Sequence, residues 1–140
     1  MASLIDATKP VAGTPTTASV RANFAAAKAE IEALQAQATL TWLPVTFLNG
    51  WVNFGAGTDP CEYCIDEKKI VRLRGMAKNG TIGTPMFTLP AGMRPTNDQY
   101  IGTVSDHAFG EIAISSAGDV YASTGSIVWF SLAGISFQAA

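Results

Sequence analysis

The chain has 140 residues and a formal net charge of −2, with 14% charged and 48% hydrophobic residues. This charged fraction is well below the roughly 25% of an average soluble protein, and the few charges form neither a basic patch for nucleic acid or an anionic membrane nor an acidic tail. Because a small monomer must cover a large surface with polar side chains, so few charges predict that other subunits cover part of it; the alternative is a neutral surface rich in Thr, Ser, Asn and Gly.

Residues 1–16 are predicted to form an extended attachment arm. The start, MASLIDATKP, has neither the basic nor the apolar region of a signal peptide, so we expect synthesis and folding in a reducing cytoplasm. Pro10, Gly13 and Pro15 disfavour regular structure. The apolar side chains of the arm predict that it docks on another protein; these are Leu4, Ile5 and Val11.

Residues 17–40 are predicted to form a helical stalk, because they are rich in Ala, Glu, Lys, Gln and Leu and contain neither Gly nor Pro. Thr16 or Thr17 can cap the helix. Apolar residues recur every three or four positions, which predicts a heptad seam and a left-handed coiled coil. The seam residues are Val20, Phe24, Ala27, Ile31, Leu34 and Ala38. The alternative is a lone amphipathic helix that packs on the following domain.

Residues 41–140 are predicted to form an antiparallel β head, a sandwich or jelly-roll-like fold, because short apolar runs alternate with Gly, Pro, Asn and Asp. Asn49-Gly50 and Lys78-Asn79-Gly80 are predicted hairpin turns, as is Ser116-Ala117-Gly118. In KKIVRLRGMA, alternation predicts that Val71, Leu73 and Gly75 share one face and Arg72 and Arg74 the other. Pro85 predicts a sheet edge or a bulge.

Two stretches carry a resemblance to virion proteins of tailed bacteriophages. KPVAGTPTTASVRANFAAAKAEIEALQ resembles the opening of phage fibre-like proteins, in which a Pro/Thr arm precedes a helix. NGWVNFG, IVRLRGMAKNGTIGTPMFTLPAGMRP and WFSLAGISF resemble the C-terminal head domains of tail fibres and related virion knobs. The resemblance implies a homotrimer, with its N-terminus bound to the particle and its head exposed. The long shaft that is usual in fibres is missing here.

The residue types that could support chemistry are few and poorly grouped. Cys61 and Cys64 have CxxC spacing, but zinc requires two further ligands, and the lone His107 is remote in sequence. His107 adjoins Ser105 and Asp106, yet a nucleophilic triad needs defined geometry and not sequence neighbours. Asp59 and Asp66 lack the spacing of a calcium loop. We therefore expect no enzyme activity, no cofactor and no bound metal, and two reduced cysteines or one local cross-link.

Aromatic residues are candidates for sugar stacking or for anchoring an interface, and the sequence does not select which are exposed: Trp51, Tyr100, Tyr121 and Trp129. Most are expected in the core or in subunit contacts, so the receptor contacts stay unknown.

The sequence thus predicts a self-associating short fibre or knob, displayed on the surface of a tailed-phage particle after synthesis in the host cytoplasm. Its expected partners are further copies of itself, capsid or tail and baseplate proteins, and a host surface glycan or protein. Membrane insertion is not expected, because no stretch approaches the about 20 apolar residues that a spanning helix needs. The alternative function is a capsid decoration or cement protein that bridges shell subunits, which the missing shaft and apolar arm favour.

Overall fold

The computed structural model describes residues 16–37 and 40–140. The chain divides into a unit that contains one helix and a compact unit that begins at Leu40. The helix, α1, spans Thr17–Gln37. Thr16 caps it, as predicted, since its Oγ1 accepts a hydrogen bond from the Ser19 N–H at 3.2 Å.

The second unit, the head, consists of two antiparallel sheets around one core. Its strands are β1 Leu43–Pro44, β2 Val52–Asn53, β3 Glu62–Ile65, β4 Ile70–Arg74, β5 Met76–Lys78, β6 Pro85–Thr88, β7 Gln99–Ser105, β8 Ala108–Ile114, β9 Asp119–Thr124, β10 Phe130–Ser131 and β11 Ser136–Gln138. The small sheet has the order β1-β3-β4-β11, and the large sheet has the order β2-β5-β10-β7-β8-β9-β6. A sandwich-like β head agrees with the prediction, whereas jelly-roll connectivity is not confirmed.

Gly75 is the corner at which the chain passes from one sheet to the other. The predicted alternation of KKIVRLRGMA is confirmed, because Val71, Leu73 and Gly75 are buried between partly exposed arginines. The run is nevertheless two strands, β4 in the small sheet and β5 in the large one. Gly75 has φ of +97°, and a Cβ there would lie 2.2 Å from the Pro60 carbonyl oxygen. Only glycine permits this close turn.

Two of the three predicted hairpins are wrong, although their turn residues adopt turn conformations. Asn49 and Gly50 both have positive φ, but the turn joins β1 of the small sheet to β2 of the large sheet. The turn after Lys78 likewise joins strands that pair elsewhere, β5 with β2 and β10, and β6 with β9. Turn chemistry fixes the local backbone, while the choice of strand partner depends on which segments bury apolar surface together.

The remaining edge and turn predictions are confirmed. Ser116-Ala117-Gly118 closes the β8–β9 hairpin, with the Gly118 N–H bonded to the Ser115 carbonyl at 2.8 Å. Pro85 begins the edge strand β6, where the register with β9 shifts between Pro85 and Phe87. A proline cannot donate a ladder hydrogen bond, so it lies where it interrupts none.

The core lies between the two sheets and is built around Trp51. This side chain is 2% exposed and packs edge-on against Phe130, with ring centroids 6.5 Å apart. Gly80 leaves space for the indole ring, since a Cβ there would lie 2.0 Å from two ring carbons. Val71, Leu73 and other apolar side chains of both sheets complete one continuous cluster.

Candidate interaction surfaces

The large sheet carries apolar side chains on the face that points away from the core. Strand register and burial place the following residues, among others, on this outer large-sheet face: Val52, Phe54, Met76, Lys78, Tyr100, Val104, Phe109, Glu111, Tyr121 and Trp129. Phe109 is 66% exposed, Tyr100 is 64% exposed and Val104 is 50% exposed. Val104 and Phe109 are directly opposite each other in the β7–β8 hairpin. An antiparallel sheet that faces water normally has polar side chains there.

Three strands contribute one row of this face. Tyr100 pairs with Ala113, which pairs with Tyr121. The two tyrosines share a side-chain hydrogen bond, and Ala113 between them is only 1% exposed. Burial raises the pKa of Tyr121, and the neighbouring Tyr100 adds to the effect. The tyrosine pair therefore covers the small residue and presents a continuous surface.

The charged groups of this face lie on different strands. Lys78 on β5 holds its Nζ 5.3 Å from the centroid of the Phe54 ring. Glu111 on β8 accepts a short hydrogen bond from the Ser123 hydroxyl. Strands β10 and β7 lie between β5 and β8, which corresponds to about 14 Å at the usual strand spacing. Asp119 on β9, next to β8, lies on the same side of its strand as Tyr121. The face thus has the cation Lys78 on one half and the carboxylates of Glu111 and Asp119 on the other.

The β7–β8 turn does not assemble a nucleophilic triad from the sequence neighbours Ser105, Asp106 and His107. The Ser105 hydroxyl donates to the Ser126 carbonyl at 3.0 Å and accepts from the Ser126 N–H at 2.7 Å. The His107 ring instead packs edge-on against Trp129, with centroids 5.2 Å apart. Asp106 and His107 both have positive φ, as a tight hairpin turn requires. The arrangement fixes the turn and orients Trp129.

The outer face of the small sheet is charged, in contrast to that of the large sheet. Arg74 Nε and Nη2 contact Glu62 Oε2 at 2.7 and 2.5 Å. Arg72 Nη1 lies 2.8 Å from Asp66 Oδ2. The pKa of Asp66 is lowered, mainly because its carboxylate accepts a hydrogen bond from the Ile70 N–H, with a further contribution from Arg72. This face therefore has the ion pairs expected of a surface in contact with water.

A shallow groove of about 340 Å³ crosses the small sheet beside Trp42, Arg74 and Ser136. The Arg74 guanidinium carbon lies 4.3 Å from the centroid of the Trp42 ring. Trp42 is thereby held against the sheet by a cation–π contact, and the arginine is held by Glu62 on its other side. The sequence did not single out Trp42 as part of a groove, because its partners come from distant strands.

The predicted oligomer seam lies on α1. Phe24 is 72% exposed, Ile31 is 54% exposed and Leu34 is 66% exposed, while Val20 and Ala27 are half-buried. Ala38 lies outside the described residues, as do the predicted attachment residues Leu4, Ile5 and Val11. Large apolar side chains therefore stay open to solvent along the helix, and the coiled coil stays a prediction.

The cysteines lie on opposite faces of the small sheet. Cys61 is in the core cluster, whereas Cys64 pairs with Arg72 on β4 and lies on the outer side. Both thiols are free and buried. Burial raises the pKa of Cys61 to about 12, with Glu62 as a smaller cause, and burial also raises the pKa of Cys64. A protonated thiol is a poor nucleophile and a poor metal ligand.

The four aromatic candidates separate into two groups. Trp51 is a core residue, the location expected for most of the four. Tyr100, Tyr121 and Trp129 share the outer large-sheet face. Sequence reasoning missed Val104 and Phe109, although the two-residue period of QYIGTVS places Tyr100 and Val104 on one side of a strand.

Within residues 16–37 and 40–140, no group of three or more His, Cys, Asp or Glu side chains is placed to hold a metal ion. Helix α1 is not long and apolar enough to cross a membrane.

No family model matches the sequence, and no curated protein matches it. Among solved structures, the crystal structure of the receptor binding protein gp15 of Listeria phage PSA is similar, with a TM-score of 0.68 and 19% sequence identity. The similarity covers 89% of this chain and 80% of that one. The two proteins share a fold. Since the head starts at Leu40, a match over 89% of the chain also includes part of the N-terminal unit.

Proposed function

We propose that this chain is a structural protein of a tailed-phage particle, whose head is displayed on the virion and contacts the host surface. The observation that supports the proposal is the fold shared with a phage receptor binding protein over 89% of the chain. The virion-type motifs at both ends of the sequence support the same assignment. The protein acts by association and not by catalysis.

Self-association is part of this proposal. The α1 stripe of Phe24, Ile31 and Leu34 is exposed in a single chain, and such apolar stripes are normally covered by a neighbouring helix. A parallel bundle of stalks would present several heads together, so that weak contacts with the host act in concert. Three copies is the number that the resemblance implies.

The stalk is tested by Ile31→Asp, which places a charge in the seam. We expect the mass measured by light scattering to fall to that of a monomer or the assembly to become unstable. Ala29→Asp is the matched control, because it adds the same charge at an exposed position of the same helix on the side away from the seam. An unchanged mass for Ile31→Asp beside an oligomeric wild type would show that the helix is not a seam.

The virion role is tested by electron microscopy of intact particles labelled with an antibody against the head. Label at the tail or baseplate, together with binding of the purified protein to host cells, is the expected result. Label spread over the shell would overturn the host-binding role and favour the capsid decoration protein. Absence of label from particles would overturn both.

The arm is tested by deleting residues 1–16. We expect a folded head that no longer joins particles, since the arm is proposed to be the attachment segment. Circular dichroism checks the fold, and immunoblotting of purified particles checks incorporation. Normal incorporation of the truncated protein would contradict an anchoring role.

A further inference from the structure

The outer faces of the two sheets differ in a way that one isolated domain does not explain. The small sheet has Arg72 and Arg74 paired with carboxylates, whereas the large sheet exposes Tyr100, Val104 and Phe109. Exposed apolar residues scattered singly need no explanation, but a contiguous set on one sheet face marks an interaction site. The contrast lies within one domain, so overall composition does not account for it.

Several polar side chains of the outer large-sheet face have hydrogen-bond partners within the chain. The Glu111 carboxylate accepts from Ser123, and Tyr100 and Tyr121 are bonded to each other. A sugar-binding site needs polar groups that fix the orientation of the ligand. The face offers apolar rings with few free hydrogen-bonding groups, which favours a protein surface of the same character as its partner.

The charge pattern of the face indicates that the partner surface belongs to a second copy of this chain. Lys78 lies on the β5 half and Glu111 on the β8 half of the same face. Two copies that meet head-to-tail, the β5 half of one against the β8 half of the next, place opposite charges together. A head-to-tail contact closes into a ring when its rotation permits. The two halves of the face are thus complementary in charge to each other.

The area of the outer large-sheet face limits how much of a subunit interface it can form. From β2 to β9 and from Tyr100 to Val104 it covers on the order of 400 Å² by strand spacing and rise. A stable interface buries about 800 Å² per partner. In the head-to-tail contact each copy presents one half of the face to a given neighbour, about 200 Å², which is about a quarter of what is needed. The exposed stripe of α1 is a further apolar surface available for the remainder.

We infer that the outer large-sheet face is the surface through which the heads of neighbouring copies pack, with Lys78 of one copy directed to Glu111 of the next. The inference rests on the self-association proposed above and adds where the heads meet. It predicts that Phe109, which is 66% exposed in the single chain, is buried in the oligomer.

The test uses the full chain and measures mass by light scattering over a range of concentrations. Phe109→Asp is expected to weaken association by at least tenfold, because it buries an unpaired charge. Ser136→Asp is the control, since it adds the same charge to an exposed position of the small sheet and should leave the mass unchanged. Circular dichroism confirms that each variant is folded.

Charge reversal tests the head-to-tail register. Lys78→Glu and Glu111→Lys should each weaken association by about tenfold, and the double variant should recover most of it, because the pair is restored with opposite sign. If association of the double variant stays as weak as that of the single variants, the proposed head-to-tail pairing of Lys78 with Glu111 is wrong.

Three outcomes separate this inference from the proposals on which it rests. A wild type that is monomeric throughout would overturn self-association, and with it the inference. If the wild type is oligomeric and the Phe109→Asp variant has the same mass, the inference about the face is overturned while self-association stands. A Phe109→Asp variant that stays oligomeric but no longer binds host cells would identify the face as the receptor contact instead, leaving the virion role intact.

Discussion

Gly80→Ala is expected to destabilise the head strongly, because Gly80 provides the space for the Trp51 indole. A Cβ at residue 80 would lie 2.0 Å from two carbons of that ring, well inside van der Waals contact. Neither group can move easily, since Trp51 is 2% exposed and packs on Phe130.

The loss in free energy of unfolding caused by Gly80→Ala lies between two limiting cases. Repacking a core around an inserted carbon costs about 1–3 kcal/mol. Expelling the indole would expose about 150–250 Å² of side-chain surface, which corresponds to about 4–6 kcal/mol at about 25 cal/mol per Å². We expect about 3 kcal/mol, because partial displacement of the ring lies between these cases. For a domain of this size, that loss lowers the melting temperature by roughly 12–24 °C.

Thermal unfolding followed by tryptophan fluorescence and circular dichroism measures this loss, at one protein concentration because association shifts the melting temperature. Gly83→Ala is the matched control: Gly83 has φ of +79° and nothing within 4 Å of an added Cβ. It should cost only about 1 kcal/mol, from the left-handed backbone. If the two variants melt at the same temperature, close packing of Trp51 on Gly80 is not what holds this part of the core.

Two further predictions concern the titratable groups of the small sheet. Since the pKa of Asp66 is lowered in the folded head from 3.8, its ionised form stabilises the fold above that pH, and this contribution is lost as the pH falls through the lowered folded value. Asp66→Asn should therefore reduce the urea midpoint at pH 7, and its difference from wild type should shrink as the pH is lowered towards the folded-state pKa, with Asp59→Asn as an exposed control. A difference that stays constant as the pH falls would contradict this. Since burial raises the pKa of Cys61 to about 12 and also raises that of Cys64, neither thiol should react with a disulfide reagent at pH 8 until urea unfolds the head, and rapid reaction of the native protein would show that a thiol is accessible.

Local sequence signals predicted local structure well. The helix and its Thr16 cap, the buried and exposed sides of β4, the edge position of Pro85 and the turn at Gly118 all follow from preferences that act over a few residues. Helix propensity, two-residue alternation, the missing proline N–H and the left-handed freedom of glycine need no knowledge of the rest of the chain.

The pairing of strands could not be predicted in this way. Asn49-Gly50 and Asn79-Gly80 have the sequence of hairpin turns, yet each joins strands that pair elsewhere. Strand β5 pairs with β2 and with β10, about 25 and 50 residues away in sequence. Such pairings depend on the total apolar surface that both sheets bury together, which no short window of sequence contains.

The amino-acid sequence by itself determined a helix followed by a β head, a low content of charged residues, and an apolar stripe on the helix. Only the tertiary structure decided that Trp51 belongs to the core while Tyr100, Val104 and Phe109 lie together outside it. An aromatic side chain is equally suited to a core and to an interface, because both remove it from water. Which of the two it occupies depends on the face of the sheet to which it belongs, and that is fixed by contacts between strands far apart in the chain.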